Sequence, residues 1–125
     1  MPLIDFVYRV ERHAIPTNPY ASTAPVAIHR MQNEHCETPH TPPPTRDGLE
    51  WEDFTGPNAR GQIFGFASAP AARTWFAGWH ALLAAEGFFL ATYLVDPDDV
   101  TRGGRQLVFN PTRAVRVSID PLTWH

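Results

Sequence analysis

The chain has 125 residues, 43% of them apolar and 18% charged, the balance of one globular domain with its own core and not of a disordered segment. Its net charge of −3 argues against a dedicated nucleic-acid binder, which presents a basic face or stripe. The single Cys36 rules out an intrachain disulfide, and every basic residue is an arginine, a planar donor fork suited to carboxylate or phosphate.

In chain order, Met1 to Asp5 lacks the basic and long apolar stretches of a signal peptide or membrane span, so a cytoplasmic protein is expected. Phe6 to Val10 reads as a first strand, with Phe6, Tyr8 and Val10 on one face and Val7 and Arg9 on the other. Val26 to Met31 has no clear period and fits a short strand or a helical turn. Periodicity is lost from Gln32 to Asn58, where Pro39 and Pro42 to Pro44 exclude helix and predict a long proline-rich loop over 32–58.

A second strand is predicted over Gln62 to Ala67. It leads into one main amphipathic helix (about 69–86), capped by Ser68, with Pro70 in the first turn and Gly87 at the left-handed C-terminal position. Ala72, Trp75, Phe76, Trp79, Leu82 and Leu83 form its core stripe. Phe88 to Val95 is almost wholly apolar, as in a central strand covered on both faces. After the acidic Asp96–Asp99 turn come a strand at Gln106 to Phe109 and a last one at Ala114 to Ile119. In that last strand Val115, Val117 and Ile119 alternate with Arg116 and Ser118, so one wet face is expected. The fold class is therefore α+β: a single small domain (1–125) of antiparallel or mixed sheet packed on one main helix, with a core over 62–119.

Three sets of side chains could carry chemistry. His29, His35, Cys36 and His40 offer nitrogen and sulfur at a spacing that admits zinc, against histidines that decorate a polar loop. Arg102-Gly103-Gly104-Arg105 could cradle an anion, or simply turn the chain between two strands. Trp51, Phe54 and Trp124 are candidate partner-contact residues, because aromatic and arginine side chains concentrate at interaction hot spots. No nucleophile elbow is present.

Segments Phe6-Val7-Tyr8-Arg9-Val10-Glu11, Asn18-Pro19-Tyr20, Phe64-Gly65-Phe66-Ala67-Ser68, Trp75-Phe76, Gly87-Phe88 and Arg105-Gln106-Leu107-Val108-Phe109 resemble small uncharacterised proteins of bacteriophages and prophages. That resemblance implies action inside a bacterial host, with a host or phage protein as partner. The order of the elements also resembles the ADP-ribosyltransferase-like fold. This second resemblance implies NAD binding, with Arg9 gripping a phosphate and Ser68 and Gln106 lining the pocket. Gln106 stands where that family has a glutamate, so Asp96–Asp99 would have to supply the carboxylate that supports a developing cation. Arg9 could equally pair with Glu11 or Asp5. The leading expectation is a non-catalytic binding protein without a cofactor, with no membrane contact; NAD or zinc would enter only through the two alternatives.

Overall fold

A computed structural model of the chain describes residues 5–12, 19, 26–35, 41–42, 46–49 and 63–122. Strand β1 (Asp5–Arg12) is followed by a 3-10 turn (Val26–Ile28) that runs into helix α1 (His29–Glu34). Then come β2 (Ile63–Gly65), α2 (Ala69–Trp75), α3 (His80–Ala85), β3 (Phe88–Val95), β4 (Val100–Arg102), β5 (Leu107–Phe109) and β6 (Val115–Pro121). The strands form two antiparallel sheets, ordered β1-β3-β6 and β2-β5-β4. The α+β class read from the sequence is the observed one.

Strands β1 and β3 of the central sheet are covered on both sides, and strand alternation decides which residue goes where. Val10, Phe88 and Leu90 face the helices, meeting Ile28, Met31, Ala72, Trp75, Phe76 and Leu83 in one core. Val7, Ala91, Tyr93 and Val95 face the second sheet, meeting Leu107 and Phe109 in another. β3 thus has the doubly covered environment that its apolar sequence predicts.

The two sheets share a corner at Gly65. β2 belongs to the second sheet, yet Phe66, the next residue, bridges to β1: Tyr8 N–H donates to the Phe66 carbonyl at 2.9 Å, and Phe66 N–H to the Tyr8 carbonyl at 2.8 Å. At this crossing a Cβ on residue 65 would lie 2.6 Å from Val7 Cγ1 and 3.2 Å from the Tyr8 carbonyl oxygen. Only glycine lets the strand pass this close.

Several local expectations hold. Ser68 caps α2 by accepting the Ala71 N–H at 3.1 Å, Pro70 sits in the first turn, and Gly87 takes φ 87° after α3. Asp96 accepts the Asp98 N–H at 2.9 Å, which makes the acidic stretch a self-bonded turn.

Others are corrected. The single helix expected over 69–86 is two short helices, because Gly78 adopts φ 87° and ends the first; glycine is the one residue for which this reversal costs little. The core stripe survives the break, since Trp79 and Leu82 still pack on the same cluster. Val26 to Ile28 begins a helical segment, and Gln32 to Glu34, expected in the loop, complete α1. Apart from residues 41–42 and 46–49, the proline-rich stretch from residue 36 to 58 lies outside the described residues.

In β6 the expected alternation is not kept: every residue but Arg116 is exposed, Ser118 included. Val115, Val117 and Ile119 are 58%, 48% and 52% exposed, while Arg116 turns toward the interior. A register shift between Thr92 and Tyr93 leaves Val117 as the extra residue in the pairing with β3. A buried carboxylate on β1 draws Arg116 inward.

Gly65→Ala is expected to cost about 1–3 kcal/mol by overpacking the corner; urea denaturation measures it, and a midpoint equal to that of the unmodified protein would contradict the steric account.

Candidate functional site

Two places gather polar groups. The first is a buried cluster on the face of the central sheet that packs on β2-β5-β4. Glu11, fully buried, accepts the Tyr93 hydroxyl on both carboxylate oxygens, at 2.8 and 3.0 Å. Arg116 Nη1 donates to the same carboxylate at 3.0 Å, and Arg9 Nη1 stands 3.4 Å from it. Strands β1, β3 and β6 each contribute, so the cluster cross-ties the sheet. Two guanidinium groups share one carboxylate, and Arg9, only 3% exposed, makes no hydrogen bond through Nη1 among the described residues. Burial pushes the Arg9 guanidinium down from its ordinary value, while Glu11 and Tyr93 pull the other way. Burial first, then the hydrogen bond and charge of Glu11, push the Tyr93 phenol up to about 12, against the opposing pull of Arg9 and Arg116.

The second place is an open cleft of about 480 Å³. One wall is the start of α2 and the residue before its cap: Ala67, Pro70, Ala71, Thr74 and Trp75. The other is the β4–β5 hairpin turn, Arg102–Leu107. Asp47 shapes that turn from behind. Its carboxylate accepts Arg105 N–H at 2.8 Å and Gln106 N–H at 2.8 Å, and its carbonyl accepts Gly104 N–H at 2.6 Å. A Cβ on Gly103 would fall 2.9 Å from the Asp47 carbonyl oxygen, so glycine admits the close approach. The anion cradle read from Arg102-Gly103-Gly104-Arg105 thus holds an internal anion, the side chain of Asp47. Arg102 is held by Asp5 at 2.7 Å; the exposed Arg105 guanidinium makes no ion pair among the described residues.

The described residues among those singled out in the sequence lie at separate places. Arg9 belongs to the buried cluster, in the Glu11 pairing foreseen for it, and is not part of the cleft wall. Ser68 spends its hydroxyl on the α2 cap, next to the cleft wall. Gln106 does line the cleft, and its side-chain amide donates to the Pro42 carbonyl at 3.1 Å. Asp99 pairs with Arg113 at 2.8 Å and is likewise not part of the cleft wall.

His29 is exposed on α1. His35 is buried among the rings of Trp75, Phe76 and Trp79, with centroids 6.3, 5.9 and 6.4 Å away. Cys36 and His40 lie outside the described residues, as do Trp51, Phe54 and Trp124. Among the described residues no group of three potential ligands is close enough to hold a metal ion.

Sequence reasoning missed Tyr93, Arg116 and Asp47. The signal for Tyr93 was available: a tyrosine in a strand buried on both faces needs a hydrogen-bond partner for its hydroxyl.

A family model described as bacteriophage T4 Y00F protein matches residues 1–123. The chain belongs to this family. No curated protein and no solved structure matches it. Kinship with bacteriophage proteins therefore extends over nearly the whole chain of this family member, whereas no match supports the ADP-ribosyltransferase-like resemblance. No described helix is long and apolar enough to cross a membrane.

The Tyr93 phenol stays neutral in the fold but ionises near its ordinary value of 10.0 once unfolded. Its contribution to stability is therefore full below about pH 10 and is lost as pH rises from there through about 12. An ultraviolet titration should show one tyrosine ionising late, and Tyr93→Phe should abolish that late step. Glu11→Ala, which strips two inward-facing guanidinium groups of their counter-charge, is expected to cost about 3–5 kcal/mol in urea denaturation.

Burial lowers the His35 imidazole below its ordinary value, with Glu34 opposing. The unfolded chain then binds a proton that the fold refuses, so stability present above 6.5 is lost as pH falls below it. His35→Phe should shrink the drop in urea midpoint between about pH 7.5 and about pH 5.5.

Proposed function

We propose that this phage-family protein acts by docking on a host or phage protein and is not itself a catalyst. The observation that carries the reading is the make-up of the cleft. Its described wall combines an apolar floor (Ala67, Pro70, Ala71, Trp75, Leu107) with two arginines, a threonine hydroxyl and a glutamine amide. Ala67, Pro70 and Ala71 offer accessible apolar area for affinity, and the exposed Arg105 is of the residue type enriched at hot spots. Acid–base catalysis calls for a group that titrates near the working pH, and neither arginine nor an amide does so.

Asp47, behind the turn that forms one wall, is engaged by backbone amides. Host takeover or counter-defence, the roles that such docking would serve in a phage, are part of this proposal. Trp51, Phe54 and Trp124 remain proposed contributors to the contact surface.

The NAD-binding alternative has one supporting observation, Gln106 in the cleft wall. It would require Arg9 to leave Glu11, which that residue's burial opposes. Addition of NAD raises the melting temperature if that alternative holds, by RT ln(1 + [L]/Kd) in stability, and leaves it unchanged if the docking reading holds.

The direct test is affinity capture from infected bacterial cells with the unmodified protein and with Thr74→Trp, which fills the cleft from an exposed helix position. A protein retained by the first and lost with the second is the expected result. Capture of the same proteins by both would remove the cleft from the docking surface.

A further inference from the structure

Resting on the docking reading, we infer that the cleft between α2 and the β4–β5 turn takes an acidic peptide segment carrying a large apolar side chain. The argument begins with charge. The chain as a whole is at −3, yet the described wall of the cleft bears Arg102 and Arg105 and no acidic side chain. Asp5 accounts for Arg102, at 2.7 Å. Arg105 is different: its backbone N–H is bonded to Asp47, while its guanidinium group projects without an ion pair among the described residues. An exposed fork in that state is set to take a carboxylate from a partner.

The apolar wall supplies the second half of the recognition. Ala67, Pro70 and Ala71 present accessible apolar surface over the buried Trp75 and Leu107, and the volume of about 480 Å³ lies within the range that accommodates ligand-sized groups, ~300–1,000 Å³. Small side chains at Ala67, Ala71, Gly103 and Gly104 keep the floor open. A partner side chain that buries apolar area there would be the anchor, and flanking carboxylates would meet the arginine rim. Nucleic acid fits less well. Its affinity comes from several phosphate contacts along a basic track, and this cleft has two arginines, one of them already paired, in a chain of net negative charge.

Arg105 also allows a clean test, because the turn depends on its backbone and not on its side chain. Arg105→Glu leaves the bonds to Asp47 in place, and its unchanged thermal melt establishes that the fold is intact. The probes are fluorescein-labelled Glu-Glu-Leu-Trp-Glu-Glu, its lysine counterpart Lys-Lys-Leu-Trp-Lys-Lys, an anchorless Glu-Glu-Ser-Ser-Glu-Glu, and a labelled oligothymidylate, each titrated by fluorescence anisotropy.

The acidic anchored peptide is expected to bind, more weakly as salt rises. The lysine and anchorless peptides are expected to bind about tenfold or more weakly. Arg105→Glu should reduce binding of the acidic peptide by a similar factor and improve binding of the lysine peptide. Equal affinity of the acidic peptide for the unmodified and Arg105→Glu proteins would overturn the inference, as would its failure to bind at millimolar concentration. Tighter binding of oligothymidylate than of the acidic peptide would replace it with a nucleic-acid site.

Partner capture separates the two levels. If Thr74→Trp abolishes capture and Arg105→Glu leaves it unchanged, the docking function stands and the acidic occupant falls.

Discussion

The central sheet is organised around one buried carboxylate. Glu11 lies on β1, receives the phenol of Tyr93 from β3 and the guanidinium of Arg116 from β6, and stands beside Arg9 on its own strand. An isolated carboxylate at full burial would be severely unfavourable, so each of these contacts is required by the presence of the others. The cost of burial explains an otherwise odd outcome in β6. The strand gives up the chance to bury Val115, Val117 and Ile119 and instead brings Arg116 to the charge that needs it. Arg116 also lies over the ring of Phe89, 5.9 Å from its centroid, which keeps its apolar stem covered.

The second organising feature is the corner at Gly65. Because one strand leaves the small sheet and continues as a bridge to β1, the N-terminus of α2 is delivered within reach of the β4–β5 turn. Asp47 fixes the opposing wall by filling the turn with its own carboxylate. The cleft is thus a by-product of two close approaches, one at Gly65 and one at Gly103, each of which excludes a side chain. Its geometry is tied to the backbone more than to any rotamer, a sound basis for a recognition surface that must be preorganised.

Much of this fold was readable from local pattern. β3, the Ser68 cap, the Gly87 stop and the α2–α3 stripe depend on neighbours within a turn or on strand period, and these appear in the sequence. What escaped depends on distance. Nothing local marks Gly78 as the residue that takes a left-handed conformation, since a lone glycine is tolerated inside a helix. The inward turn of Arg116 follows from Glu11, more than a hundred positions away. Asp47 sits in a stretch that reads as loop, and its partners lie in a turn 58 positions later for Arg105. For the candidate site, the glycine-arginine turn was visible while its internal anion was not. Of the histidine set, His35 packs its ring against Trp75, Phe76 and Trp79, a core contact that spacing alone does not mark.

The irregular pairing of β6 has a further consequence, for self-association. An outer strand with three exposed apolar side chains would ordinarily be a template onto which a strand of another molecule could add. Here the register shift beside Thr92 and Tyr93 interrupts the ladder midway, and Asp120 and Pro121 close its far end with a charge and a missing donor. The distortion that accompanies the inward turn of Arg116 toward Glu11 therefore also makes this edge a poorer template for strand addition.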